Sequence, residues 1–187
     1  MPTPRTTIWE LDEHSRGKHI VLERYLKAWL PILGTTQERI VFIDGFAGPG
    51  EYTGGEKGSP IIALEALVEH KAPITAKVHF LFIEADPRRA QHLEQLVAPL
   101  AQRLLGRATI EVKTGTFDSE LSGLLNEIES RKMLLAPSFV MADPFGVSHT
   151  PMSVMSQILK NPSSEVYVSF MAEFINRFKD TELYPVS

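Results

Sequence analysis

The chain has 187 residues, 43% of them hydrophobic, with 19 basic against 23 acidic side chains and a formal charge of −4. That length and composition support one globular domain with a sizeable core, and the acidic balance excludes a general nucleic-acid coat, so any nucleic-acid contact has to rest on a local patch or on a partner. The absence of cysteine excludes disulfides, thiolate-bound zinc, iron–sulfur clusters and thiol chemistry in this chain. No apolar run approaches the roughly 18 uncharged residues of a membrane helix, and the N-terminus MPTPRTTIWELDEHS lacks the apolar centre of a signal peptide. The expectation is a cytoplasmic protein without a membrane partner.

The first element is a helix over about Gly17 to Leu33, where Val21, Leu22, Tyr25, Leu26, Trp29 and Leu30 recur at spacings of three and four. Lys18, four residues before Leu22, falls on the same side. This helix belongs to an N-terminal segment, residues 1–35, ahead of a core over residues 36–187, both within a single domain. Short apolar runs then alternate with amphipathic segments, the pattern of βαβ units. The strands expected are Ile40 to Asp44, Val78 to Glu84, Thr109 to Lys113, Ser138 to Asp143 and Val166 to Phe170. All are mostly apolar, as strands covered on both faces should be. Between them Ser59-Pro60, Asp86-Pro87 and Thr150-Pro151 pair an N-cap residue with proline at the first helical position. The helix after Asp86 carries an apolar stripe of Ala90, Leu93, Leu96, Val97, Leu100 and Leu104. Right-handed crossovers predict an α/β, Rossmann-like, doubly wound and mostly parallel sheet in the order 3-2-1-4-5, with the switch point between the first and fourth strands. After the fifth strand comes MAEFINRFKD and the sequence soon ends, where many folds of this type add two more strands. A C-terminally incomplete domain is expected.

Polar residues gather at the strand ends that should face one crevice: Asp44, Glu84, the stretch Thr114 to Asp118, and Asp143. Asp86 and Asp118 read as helix caps; Asp44 and Glu84 have no cap to make. Gly45, Gly48 and Gly50 follow Asp44 in FIDGFAGPGEYTGG. Their spacing is not GxGxxG, and about eight loop residues separate them from the next helix, so a pyrophosphate seat at a helix N-terminus is not expected. GEKGSP is not a P-loop. Glycines there permit close passage of backbone beneath a ligand; the alternative is a hairpin-like loop that binds nothing. No histidine pair has metal-site spacing, His79 reads as structural inside a strand, and Met152 and Met155 fit helix packing. Lys18 reads either as an ammonium at the crevice rim, able to meet a carboxylate or phosphate, or as a snorkelling side chain at a helix start.

The run Asp44, Phe46, Ala47, Gly48, Gly50, as D-x-F-A-G-x-G, resembles the first motif of class I S-adenosylmethionine-dependent methyltransferases, above all those acting on amino groups of bases. The resemblance implies that the loop of Gly45, Phe46, Ala47, Gly48 and Gly50 passes under the cofactor. It implies that Glu84 holds the ribose, that Thr116, Phe117 or Asp118 meets the adenine, and that Asp44 orients the loop or meets the amino-acid end. Asp143-Pro144-Phe145-Gly146 is similar to the D-P-P-Y type motif of amino methyltransferases, in which the carboxylate and a backbone carbonyl accept the amine hydrogens and an aromatic ring stacks on the base. Here Phe145 stands where proline is usual and Gly146 where the aromatic is usual, so the stacking platform is displaced or absent.

A broader likeness covers nearly the whole chain. His14 and Lys18, Tyr25 and Trp29, FIDGFAGPGEY, GSP, FIEAD, MADPFG and Asn176-Arg177 together resemble the three-Cys-motif partner protein family of bacteria, methyltransferase-like proteins encoded beside a protein with a three-cysteine, radical-SAM-like motif. The resemblance implies an S-adenosylmethionine site that includes Lys18, a three-Cys-motif partner, and methyl transfer to an amino nitrogen, with nucleic acid as the first acceptor to consider and Asp143, Pro144 and Phe145 beside it. The rival expectation is a non-catalytic domain that retains or senses the cofactor while docking the partner. A nicotinamide oxidoreductase lacks its glycine motif, and a metal on Asp44, Glu84 and Asp143 requires residues that should be spread along the crevice.

Overall fold

Helix starts and apolar strands set the architecture. The computed structural model describes residues 6–144 and 150–169. In chain order the elements are α1 (Glu13–Gly34), β1 (Arg39–Asp44), α2 (Ser59–Val68), β2 (Lys77–Glu84), α3 (Pro87–Arg103), β3 (Ala108–Thr114), α4 (Phe117–Ser130), β4 (Ser138–Ala142), α5 (Met152–Leu159) and β5 (Ser164–Val168). The five strands form one parallel sheet in the order β3-β2-β1-β4-β5. This is the Rossmann-like arrangement expected, with a helix ahead of it. Among the described residues no helix is long and apolar enough to cross a membrane.

Strand alternation sorts the core into two layers. Ile40 and Phe42 of β1, Phe80 and Phe82 of β2, and Phe139 and Met141 of β4 pack with α1, α2 and α3. Val41 and Ile43, Leu81 and Ile83, and Val140 and Ala142 pack on the other face with α4 and α5. Phe42, Phe80 and Phe82 are wholly buried. Burying a side chain of that size contributes roughly 1.5–3 kcal/mol.

Several local expectations shift. α1 starts at Glu13, before Gly17, because the Asp12 carboxylate accepts the Ser15 amide at 2.8 Å and caps it. Leu22, Leu26, Trp29 and Leu30 are buried as expected, whereas Val21 is 55% exposed and Tyr25 sits at the edge; the helix turns its 22/26/29/30 stripe inward. Asp86 caps α3, accepting the Arg88 amide. The cap of α4 is Thr116 rather than Asp118, which lies in the first turn, where its charge complements the helix dipole. Ser59 is the first residue of α2, whose cap is Gly58, and α5 starts after Pro151 with no side-chain cap. Met155 is buried but Met152 faces outward. β4 stops at Ala142, one residue short of Asp143, and β5 begins two residues earlier than expected. Phe145, Gly146, Phe170 and Asn176-Arg177 lie outside the described residues.

Candidate functional site

The same alternation that builds the core aims the carboxylates. Asp44 continues the series Ile40 and Phe42, Glu84 continues Phe80 and Phe82, and Asp143 continues Phe139 and Met141, so all three belong to the face under α1, α2 and α3. In register Asp44 is level with Phe82 and Met141. Asp44 therefore lies beneath the switch point, with Glu84 two residues, about 7 Å, further along its strand and Asp143 two residues past Met141; of the three, Asp143 lines the cleft and Asp44 and Glu84 do not.

Asp44 is fully buried. Its Oδ1 accepts the Phe46 amide at 3.1 Å, an Asx-type turn that bends the chain out of β1, and Oδ2 has no hydrogen-bond partner. Burial pushes its pKa up to about 6, with the charges of Asp143 and Glu84 adding to the rise, while the nearby Ser59 hydroxyl and the Phe46 amide pull the other way. Beyond it the loop is tied down by its backbone: the Gly45 amide donates to the Met141 carbonyl and the Ala47 amide to the Ile83 carbonyl, both at 2.9 Å. Glu84 completes the clamp, Oε2 accepting the Gly48 amide at 2.9 Å and Oε1 the Asp86 amide at 2.8 Å.

Two glycines in this loop have separate causes. Gly48 has φ +62°, which side chains resist. Gly45 is in contact with the ring of Phe117: a Cβ there would lie 2.1 Å from Cδ2. Phe117 is 2% exposed and its ring stacks on Phe46 with centroids 5.5 Å apart. Phe117 is thus a core residue beneath the loop, and Thr116 is occupied as a helix cap; neither lines the main cleft.

That cleft lies between the start of α1 and the loop after β1, and its volume is about 100 Å3. Phe46, Ala47, Gly48, Gly50, Asp143 and Pro144 line it from the sheet side, and His14 and Lys18 from α1. Lys18 Nζ spans both oxygens of Asp143 at 2.7 Å each. The side chains are only 15% and 23% exposed, so this is a partly dehydrated ion pair, shut across the switch point. The rim position read for Lys18 is where the structure places it. Among the described residues no group of three or more histidine or acidic side chains could hold a metal; Glu84 is turned to backbone amides and Asp143 to Lys18.

Sequence reasoning missed the strap that covers the loop. Trp9 lies 3.6 Å from where a Gly48 Cβ would be, its carbonyl accepts the Thr53 amide at 2.9 Å, and its ring meets Tyr52 edge-on at 5.9 Å. Arg89 of α3, 3% exposed, places its guanidinium 4.8 Å from the Trp9 ring and donates to the Thr6 carbonyl. His19 also lines the cleft, with a pKa lowered by burial against the opposing pull of Asp143. The nearest available signal was Trp9 itself, an aromatic ahead of the first helix. His79 stays away from the cleft, bonded to Thr109 on β3.

Fold and site together define a Rossmann-like α/β domain with an acidic crevice at its topological switch point, closed by a lysine–aspartate pair. Set against known proteins, the chain matches no protein-family model and no curated protein.

Proposed function

We propose that this domain is an S-adenosylmethionine-dependent methyltransferase of the class I type, acting on an amino nitrogen and working beside a three-Cys-motif partner, with nucleic acid as the first acceptor to test. The observation that carries the reading is the meeting of the Gly48 loop, held from below by Glu84, with Asp143 and Pro144 at one cleft at the carboxyl ends of β1 and β4, where open α/β sheets take their ligands. The donor set suits the cofactor. Each Glu84 oxygen accepts one amide and keeps a lone pair for a ribose hydroxyl. Gly48 offers bare backbone, and the Asp143 carboxylate in the cleft wall favours a cationic sulfonium. The bound cofactor would supply an electrophilic methyl group. Asp143 would accept the hydrogens of the acceptor amine, hold its lone pair in line, and take up the proton the methylated nitrogen releases. A cleft of about 100 Å3 is narrower than the roughly 300–1,000 Å3 of ligand pockets, so binding requires Trp9 to lift from Gly48 and Lys18 to let go of Asp143.

Calorimetric titration with S-adenosylmethionine and S-adenosylhomocysteine, with NADH as the control, tests the reading. Micromolar binding of the two sulfur compounds and none of NADH is expected; no heat with either compound defeats the proposal. The second reading, a domain that docks the three-Cys-motif protein without transferring a methyl group, is favoured by the engagement of both Asp143 oxygens by Lys18. Cofactor binding without transfer to any amine acceptor in the partner's presence would decide for it.

A further inference from the structure

Parallel strands place all five of their amino ends on one edge of the sheet, opposite the crevice, and each helix runs back to finish there. The segments from helix end to strand start are residues 34–39, 68–77, 103–108, 130–138 and 159–164. They carry eight basic side chains, all exposed, against two acids, Glu38 and Glu69; the last turn of α4 adds Glu127 and Glu129. Arg131 pairs with Glu127 at 2.6 Å, and Arg107 donates to the Leu67 carbonyl. The other six, Arg39, Lys71, Lys77, Arg103, Lys132 and Lys160, have no ion-pair partner among the described residues. A chain of net charge −4 therefore gathers its spare cations on one edge.

Of the nine large apolar side chains exposed among the described residues, five stand at this same edge: Ile32, Leu105, Met133, Leu134 and Leu159, each more than half exposed. Met133 and Leu134, with Leu125 and Ile128, form the aliphatic side of a groove of about 360 Å3 between the ends of α4 and α5. Lys132 and Lys160 flank it, with Glu129 as its one acid and the amides of Gln157 and Asn161 completing it. Lys132 stands at φ +56°, where the helix-closing turn usually has glycine; the turn after α3 does use one, Gly106 at φ +81°. So α4 keeps a lysine against that strain. None of the five segments contains Phe, Tyr or Trp, which decides the kind of partner. Nucleic-acid surfaces set aromatic rings among their cations to stack bases, and protein interfaces are poor in lysine and rich in aromatics. Cations interleaved with Leu, Ile and Met suit a bilayer, whose anionic headgroups take the charge and whose acyl boundary takes the apolar tips. We propose that the amino edge of the sheet docks on a membrane surface containing anionic phospholipid, leaving the crevice at the opposite edge open to water. No helix among the described residues is long and apolar enough to cross a bilayer, and docking of this kind needs none. The proposal does not rest on the methyl-transfer reading.

The test is cosedimentation of the full chain with vesicles of phosphatidylcholine, alone or mixed about 2:1 with phosphatidylglycerol, in about 0.1 M salt. Binding to the mixed vesicles only is expected, with release at about 1 M salt, where charges are screened beyond roughly 3 Å. Lys77→Gln and Lys160→Gln should each weaken binding about fivefold, the effect of one basic side chain near an anionic surface. Leu134→Ser should also weaken it, without changing its salt dependence. Lys132→Gly should melt no lower than wild type, because glycine suits that backbone, yet bind vesicles about fivefold more weakly. Arg24→Gln, exposed in the middle of α1, should bind as wild type does. Failure to sediment with the mixed vesicles overturns the proposal, as does binding that the Lys77, Lys132 and Leu134 variants leave unchanged. A labelled single-stranded oligonucleotide, followed by fluorescence anisotropy, tests the rival: binding that Lys77→Gln weakens, without vesicle binding, assigns the edge to nucleic acid and refutes the membrane. Cofactor heat without vesicle binding leaves the methyl-transfer proposal standing and this one refuted; vesicle binding without cofactor heat does the reverse.

Discussion

Gly45→Ala separates two explanations of the glycine after β1. The added Cβ would sit 2.1, 2.7 and 3.2 Å from Cδ2, Cε2 and Cγ of Phe117, against a comfortable carbon–carbon distance of about 3.5–4.0 Å, so the ring has to retreat by more than an ångström. It has nowhere easy to go. Phe117 is 2% exposed, stacks on Phe46, and is the first residue of α4, so its movement disturbs the helix start. Overpacking of this kind costs about 1–3 kcal/mol and occasionally more, and the upper end is expected here. Removing the ring should remove the cost. Phe117→Ala alone loses about 3–5 kcal/mol, but Gly45→Ala added to it should be neutral or stabilising by up to about 1 kcal/mol, since the backbone at Gly45 is not left-handed. A double-mutant cycle from urea unfolding at constant m-value therefore should give a coupling of about 2 kcal/mol or more. An equal effect of Gly45→Ala in both backgrounds refutes the packing account. If Gly45→Ala left stability untouched and abolished cofactor binding, the glycine would be there for the ligand instead.

Asp44→Asn tests the buried carboxylate. With its pKa raised from an ordinary 3.8 to about 6, the folded protein holds this proton through a range where the unfolded chain releases it. Wild-type stability should fall as pH rises from 4 to 6, by at most about 3 kcal/mol, and the urea midpoint of Asp44→Asn should fall less over the same range; equal slopes refute the assignment. Lys18→Met should cost about 1–2 kcal/mol by leaving Asp143 partly buried without its partner, and Asp143→Asn in the same chain should restore most of it. Additive losses in thermal melts would show that the two side chains do not interact. Glu84→Gln should lose about 1–3 kcal/mol, because its amide group can accept only one of the two backbone donors that Glu84 holds; unchanged hydrogen exchange at Gly48 and Asp86 would refute that clamp.

The centre of the sheet was legible because β1, β2 and β4 are largely apolar runs between polar turns, whereas the edge strand β3 mixes Thr, Glu and Lys with its apolar residues and buries none of them; the order followed from handed crossovers alone. Element starts were harder where two good caps compete: Thr116 and Asp118 are equally plausible by type, and the insertion of Phe117 into the core decides for Thr116. Val21 and Tyr25 share a helical stripe with Leu22 and Leu26, but which edge of that stripe turns inward depends on α2 and β1, against which α1 packs, and not on the stripe itself. The three carboxylates could be placed together because strand period and strand order fix them. The Trp9 strap, the Gly45–Phe117 contact and the grip of Lys18 on Asp143 are long-range packing facts with no local pattern to announce them. Among these, Lys18 had a sequence clue in its position one turn ahead of the buried Leu22, and the strap had one in Trp9, an aromatic ahead of the first helix.

Backbone amides around the crevice also decide which ligands it can favour. A phosphate seat needs free N–H donors at a loop or helix start. Here the amides of Gly45, Phe46, Ala47 and Gly48 are already given to Met141, Asp44, Ile83 and Glu84, and α2 begins only at Ser59. The donors of this loop stretch are consumed inside the fold while acceptor capacity is left over: spare lone pairs on Glu84, and an Asp143 whose present partner is a cation. Such a crevice should discriminate against pyrophosphates, which bring only acceptors, and favour ligands that bring hydroxyls, amines or positive charge. That asymmetry counts against a dinucleotide cofactor on the physics of hydrogen bonding, independently of the missing glycine motif. The same preference shows in Lys18, whose ammonium rests on both oxygens of Asp143.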